Sequence, residues 1–129
     1  MRDVLEFEVP LPPAEASPNL RASRLARMRA LAGYRWLVGA LARQALERSS
    51  WPIAPRVRLS LTYRLAGGRD GFYRPNDPDN ALAAAKPLID GLSDAGLIED
   101  DSWRWLEIGR IAADPDGGPG VLIRAEVLE

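Results

Sequence analysis

Two aspartates separated by a single residue open the stretch Asp77-Pro78-Asp79-Asn80, and Lys86, Asp90 and the pair Asp100-Asp101 follow it. Carboxylates two residues apart at a helix start repel each other unless a cation sits between them. Magnesium takes one or two carboxylates and completes its shell with water and phosphate oxygens. An ion held that way generates hydroxide and stabilises a pentavalent phosphate, and a lysine nearby neutralises the charge that develops. These residue types in this pattern point to metal-assisted hydrolysis of a phosphate ester. They also have a purely structural reading, with Asp77 as a helix cap and Asp79 as a partner of the helix dipole. Lys86, Asp90 and Asp100-Asp101 tip the balance toward chemistry. The chain contains neither cysteine nor histidine. Disulfides, thiolate sites, the commonest zinc ligand and the commonest general base are thereby excluded. Hard oxygen ligands suit magnesium, or manganese, better than zinc.

A helix must position these groups. Asp77 can cap it, Pro78 suits its first position, and it is expected to run to about Asp94 and stop at Gly96. Pro87 removes one backbone donor and should bend the axis. On a wheel of about 100° per residue, Asp79, Lys86 and Asp90 fall within roughly 20° of one line. Leu82, Ala85, Ile89 and Leu92 lie about 100° away and are expected to face the core. The ionisable stripe therefore borders the buried face, as the wall of a cleft would.

The other elements follow from periodicity. Val4–Val9 alternates and reads as a strand, and Pro10 to Pro18 reads as a loop. Ser23 to about Leu46 reads as a long helix whose apolar stripe is Leu31, Tyr34, Val38, Leu41 and Ala45. Arg56–Leu65 alternates strictly, with Val57, Leu59, Leu61, Tyr63 and Leu65 on one side. Gly67–Asn76 reads as a polar loop, Trp103–Ile111 as a strand, Asp114–Pro119 as a hairpin turn, and Val121–Leu128 as a closing strand with Val121, Ile123, Ala125 and Val127 inward. The expectation is one α+β domain, a mixed sheet with two main helices in the order β-α-β-α-β-β.

With 129 residues, 47% of them apolar, the chain can build one core. It has no apolar run long enough to span a membrane, and Met1-Arg2-Asp3-Val4 does not begin a signal-peptide core. The net charge of −1 hides a split. Seven arginines and one acid, Glu47, lie between Arg21 and Arg48, whereas eight carboxylates lie between Asp70 and Asp101. The first segment could meet a phosphate backbone and the second could hold cations. The best phosphate contacts by this reading are Arg21, Arg24, Arg27, Arg35 and Arg74. Trp103 and Trp105 would share a strand face and read as core or interface residues, ahead of a platform for unpaired bases. Asn19 and Asn80 read as shaping the loop and the helix start.

The combination Asp77-Pro-Asp-Asn, Lys86-Pro-Leu-Ile-Asp90-Gly-Leu and Ala95-Gly96-Leu-Ile-Glu-Asp100-Asp101 resembles the RusA-type Holliday-junction resolvases, common in phages and prophages. The proline-rich N-terminal loop, the arginine-rich helix and the basic alternating strand are similar to the family's as well. That resemblance implies a magnesium-dependent endodeoxyribonuclease that cuts four-way DNA junctions in recombination and repair. It further implies a homodimer working in the cytoplasm of a bacterial host. By position, Asp77, Asp79 and Asp101 would be its catalytic, metal-binding aspartates and Lys86 its catalytic lysine, while Asp90 and Asp100 are further candidate metal ligands. Lys86 follows Asp79 by seven residues, where the family's best-known members have four. The alternative is a non-catalytic branched-DNA-binding or phage accessory protein that keeps the fold.

Chain reach constrains the site. Asp79 to Asp94 would span about 22 Å of helix, and Gly96 to Asp101 covers only about 17 Å when extended. Asp101 should therefore reach the level of Lys86 and Asp90 more easily than that of Asp77. A site completed by mid-helix groups or by a partner subunit, close to a dimer interface, is the consequence.

Overall fold

The computed structural model describes residues 3–67 and 71–128. Part of the expected Gly67–Asn76 loop therefore lies outside the described residues. The elements are β1 (Val4–Val9), α1 (Arg24–Glu47), β2 (Arg56–Arg64), α2 (Pro78–Ala84), α3 (Lys86–Asp94), β3 (Leu106–Asp114) and β4 (Gly120–Leu128). A single 3-10 turn, Ala14–Ala16, interrupts the N-terminal loop. The chain is one α+β domain with a mixed four-stranded sheet ordered β1-β4-β2-β3. β4 runs antiparallel to both β1 and β2, and β3 runs parallel to β2.

The strict alternation of β2 sends Val57, Leu59, Leu61 and Tyr63 into the core at 0–1% exposure. Val121, Ile123 and Ala125 of the neighbouring β4 are fully buried beside them, so the two central strands carry the apolar face. The opposite face is a lattice of charges. Arg58 bridges Glu107 and Glu126, Arg64 meets Glu8, and Arg124 lies 3.6 Å from Glu6. Such exposed pairs add little stability each, and they keep the open face of the sheet polar.

α1 begins where expected, with the Ser23 hydroxyl accepting from the Ala26 amide at 3.0 Å. Its buried residues are Tyr34, Val38, Gly39 and Ala42. The band lies nearer Ala42 than the expected stripe, because α3 packs there. Gly39 and Gly91 let the two helices approach. A Cβ built on Gly91 would stand 2.6 Å from the Arg35 carbonyl oxygen and 3.0 Å from the Val38 Cβ.

Three expectations are corrected. The single bent helix is two helices, α2 and α3, joined at Ala85. Pro87 has no amide to give to Ala83, and the Ala85 amide turns to the Leu82 carbonyl at 3.1 Å. The Ala81 carbonyl is left for the Tyr63 hydroxyl, which donates to it at 2.7 Å. Ala85, Ile89 and Leu92 face the core as expected, whereas Leu82 is 43% exposed and Ala81, Ala84 and Leu88 join the core.

The second correction concerns β3, which starts at Leu106 rather than Trp103. The Ser102 amide donates to the Asp100 carboxylate at 2.7 Å, and the amides of Trp105 and Leu106 donate to the Ser102 carbonyl. That turn uses up residues 102–105, so Trp103 and Trp105 share no strand face. Trp103 is not core either, at 94% exposure.

Third, Asp114–Pro119 is not a hairpin turn. β3 and β4 lie on opposite sides of β2, and the connection arches over its end. The amides of Leu65 and Ala66 donate to the carbonyls of Asp114 and Gly117. The Asp114 carboxylate accepts from the amides of Asp116 and Gly117 to shape the arch.

Gly96 does stop α3, at φ 83°. The Leu97 amide donates to Leu92 and the Gly96 amide to Ser93, the two bonds of a Schellman cap. This turns Leu97 and Ile98 into the core at 0% and 1% exposure. It also sends Asp100-Asp101 back along α3.

Candidate functional site

Asp77 sits at the cap of α2. Its Oδ1 accepts from the Asn80 amide at 2.8 Å and its Oδ2 from the Asn80 side-chain amide at 3.0 Å. The Asn80 amide group also reaches the Asn76 side-chain oxygen at 3.4 Å. Asn80 thus does the geometric work that its type suggested. Asp79 is exposed in the first turn and makes no hydrogen bond or ion pair among the described residues. Beside Asp77 lies a cleft of about 170 Å³, lined by Tyr63, Leu65, Pro75, Asn76 and Ile111 among others. Tyr73 stands close by. Burial, and then the charge of Asp77, raises its phenol above the usual range.

A second group gathers around Lys86, the first residue of α3. Its ammonium lies 2.7 Å from Asp101 and 3.1 Å from Asp90. Asp101 arrives where the reach argument puts it, at the level of Lys86 and not of Asp77. The hydrogen bond from Lys86 lowers the Asp101 carboxyl below the usual carboxylate range. The bonds to Asp101 and then Asp90 raise the lysine above its ordinary value. All three groups keep water access, with side-chain exposures of 61%, 50% and 26% for Lys86, Asp101 and Asp90.

The pairing extends to α1. Arg35 makes a two-pronged bond to Asp94, at 2.6 and 2.8 Å, and stands 3.8 Å from Asp90. Arg35, Asp90, Lys86 and Asp101 form a continuous chain of alternating charge from α1 across α3 to the loop beyond it. Nothing in the local sequence around Arg35 announces this chain. It depends on where α1 crosses α3.

The remaining arginine candidates divide by what they touch. Arg27 donates to the carbonyls of Glu15, Ser17 and Leu20 and holds the N-terminal loop. Arg74 donates to the carbonyls of Leu65 and Gly67. Arg27, Arg35 and Arg74 thus already have structural partners. Arg21 and Arg24 are exposed and have no side-chain partner among the described residues.

The five carboxylates named from sequence do not assemble into one cage. Asp77 and Asp79 stand at the start of α2, Asp90 and Asp101 meet Lys86, and one oxygen of Asp100 is engaged in its turn. Among the described residues, no group of three or more acids is arranged to hold a metal ion. A magnesium ion bound by Asp77, Asp79 and Asp101 together does not fit this arrangement of one chain. No helix among the described residues is long and apolar enough to cross a membrane. No protein-family model matches the chain, and no curated protein matches it.

Proposed function

We propose that this chain is an endodeoxyribonuclease acting on branched DNA. It hydrolyses phosphodiesters at four-way junctions as a magnesium-dependent homodimer, with manganese as a substitute ion. One observation carries the reading. Lys86 and Asp101 are fifteen residues apart and belong to separate parts of the motif, yet they meet at 2.7 Å. Two parts of the motif that are remote in sequence thus share one place on the surface. Lys86 is the only lysine of the chain. It presents an exposed ammonium between two carboxylates, and a substrate phosphate would compete with them for it. Asp79, exposed and unpaired among the described residues, is the carboxylate best placed to act on an incoming group.

A second reading draws on the scattered carboxylates. Asp101 already has its counter-charge in Lys86, so the chain could bind branched DNA, or serve a phage as an accessory protein, without cutting. Cleavage separates the two. A labelled four-way junction is incubated with the protein in magnesium, in manganese and in EDTA, beside Asp79→Asn and Asp101→Asn. The nuclease reading expects metal-dependent nicks near the branch point that both variants lose. Intact junction in every metal and salt condition would overturn it and leave the binding reading standing.

A further inference from the structure

The outer face of α1 carries a feature that the cutting reaction does not use. Trp36 is 70% exposed there, although a tryptophan is among the costliest side chains to leave in water. Arg29 precedes it by seven residues and Arg43 follows it by seven. Seven residues rotate a helix by about −20° and advance it roughly 10 Å, so the three side chains lie on one stripe. Leu25, 54% exposed, falls on the same stripe toward the N-terminus, and Met28, 57% exposed, flanks it. The buried Tyr34, Val38 and Ala42 of α1 lie about 120–160° round the helix from Trp36.

Charge decides what this stripe receives. From Arg24 to Leu46 the helix has no acid, and Glu47 at its end is the first. The acids of the adjoining α3 that face α1 are Asp90 and Asp94, and Arg35 takes both. Arg43 gives α3 only a long bond, 3.3 Å, to the Asp94 carbonyl. Arg29 has no side-chain partner among the described residues. A second copy laid antiparallel on the stripe would set Arg29 against Arg43, and one laid parallel would set each arginine against itself. Like charges meet in both cases, which disfavours a self-interface. A polyanion with flat apolar groups meets both demands: phosphates for the arginines and a base for the indole. The roughly 10 Å from Trp36 to each arginine corresponds to about three steps of a stacked strand at 3.4 Å.

We propose that the Arg29–Trp36–Arg43 stripe of α1 is a binding track for a single-stranded segment of nucleic acid, with Trp36 stacking on an unpaired base. On the proposed branched substrate, this track would hold a stretch of strand whose bases are unpaired at the branch point. The inference deepens that reading, yet it stands on different residues.

The test measures binding of a fluorescein-labelled oligothymidylate to the full chain by anisotropy at several salt concentrations. The expected results are about tenfold weaker binding by Trp36→Ala with an unchanged salt slope, and near-normal binding by Trp36→Phe. Arg29→Gln with Arg43→Gln should reduce the slope by about 1.4. Circular dichroism of each variant confirms folding, which exposed positions should leave intact. Oligothymidylate binding that is absent at low salt, or indifferent to Trp36 and both arginines, would overturn the proposal. So would sedimentation data in which Trp36→Ala dissociates a dimer while binding stays the same, since the stripe would then be a self-interface. If junction cutting is absent but Trp36-dependent binding remains, the nuclease reading fails and the track stands.

Discussion

Asp77 is a residue where a cap and a chemical group coincide, and substitution can separate the two. Asparagine caps a helix about as well as aspartate, whereas alanine costs about 1 kcal/mol at such a position. Asp77→Asn should therefore leave the thermal midpoint near that of the parent, and Asp77→Ala should lower it by a few degrees. If the carboxylate also serves cleavage, both variants lose cutting alike. Full cutting by Asp77→Asn would reduce Asp77 to a cap.

The Lys86–Asp101 pair makes a different prediction, in pH. Asp101 is held below the usual carboxylate range by the bond from Lys86, so the stability it contributes is present above the unfolded pKa. That contribution is lost as pH falls through the depressed folded value. Lys86 is raised, so its contribution is present below its ordinary pKa and lost only as pH climbs through the raised value. Between those limits the pair stays ionised and adds no pH dependence near neutrality. Carboxyl carbon NMR should find Asp101 titrating below the ordinary range, and Lys86→Gln should return it upward. Because both groups are exposed, the effect on stability should be slight.

At the scale of elements, the close approach of α1 and α3 positions the whole charge chain. Gly91→Ala would drive a methyl to 2.6 Å from the Arg35 carbonyl oxygen, and backbone has no room to yield cheaply. The expected cost is about 1–3 kcal/mol, read as a lower midpoint in chemical denaturation. Loosening of the Arg35–Asp94 bond should accompany it, visible as reduced protection of α3 amides in hydrogen exchange. This glycine, like Arg35, was opaque in the sequence, because its reason lies in a helix crossing between residues far apart in the chain.

What was readable had a local cause. β1 matches to the residue and β2 ends one residue early, because alternation over six to nine positions leaves little else to fit. The caps at Ser23, Asp77 and Gly96 follow from side chains and backbone freedom within a few residues. The start of β3 misled because Trp103 and Trp105 alternate like a strand, while the Asp100 turn competed for the same residues and won. The sheet order misled for another reason. A short connection between β3 and β4 invites a hairpin, but the most apolar strands take the centre, and β4 inserts beside β2. Lys86 meeting Asp101 was foreseeable from chain length alone. The loss of Asp79 from that group was not, since the wheel assumed one unbroken helix.

For the molecule as a whole, the division of its carboxylates is the central problem. Asp79 and Lys86 are separated by seven residues and by the break at Ala85, so they belong to different helices. A centre that cuts one phosphodiester keeps its groups within a few ångströms. Two copies related by a two-fold axis would let the α2 start of one complete the Lys86–Asp101 group of the other, and a four-way junction offers two opposed strands to match. Under the proposed nuclease reading, this arrangement predicts complementation. Asp79→Asn and Asp101→Asn are each inactive alone. When the two are mixed and allowed to exchange subunits, about half of the dimers pair one of each. Each mixed dimer then holds one site with neither substitution and one site with both. The mixture should recover about a quarter of the parent's cutting, mostly as single-strand nicks rather than paired cuts. A site confined to one chain recovers none, because every chain in the mixture carries a substitution. A mixture as inactive as its components, with subunit exchange verified, would place the whole centre within a single chain and require α2 to swing toward Lys86 on binding DNA.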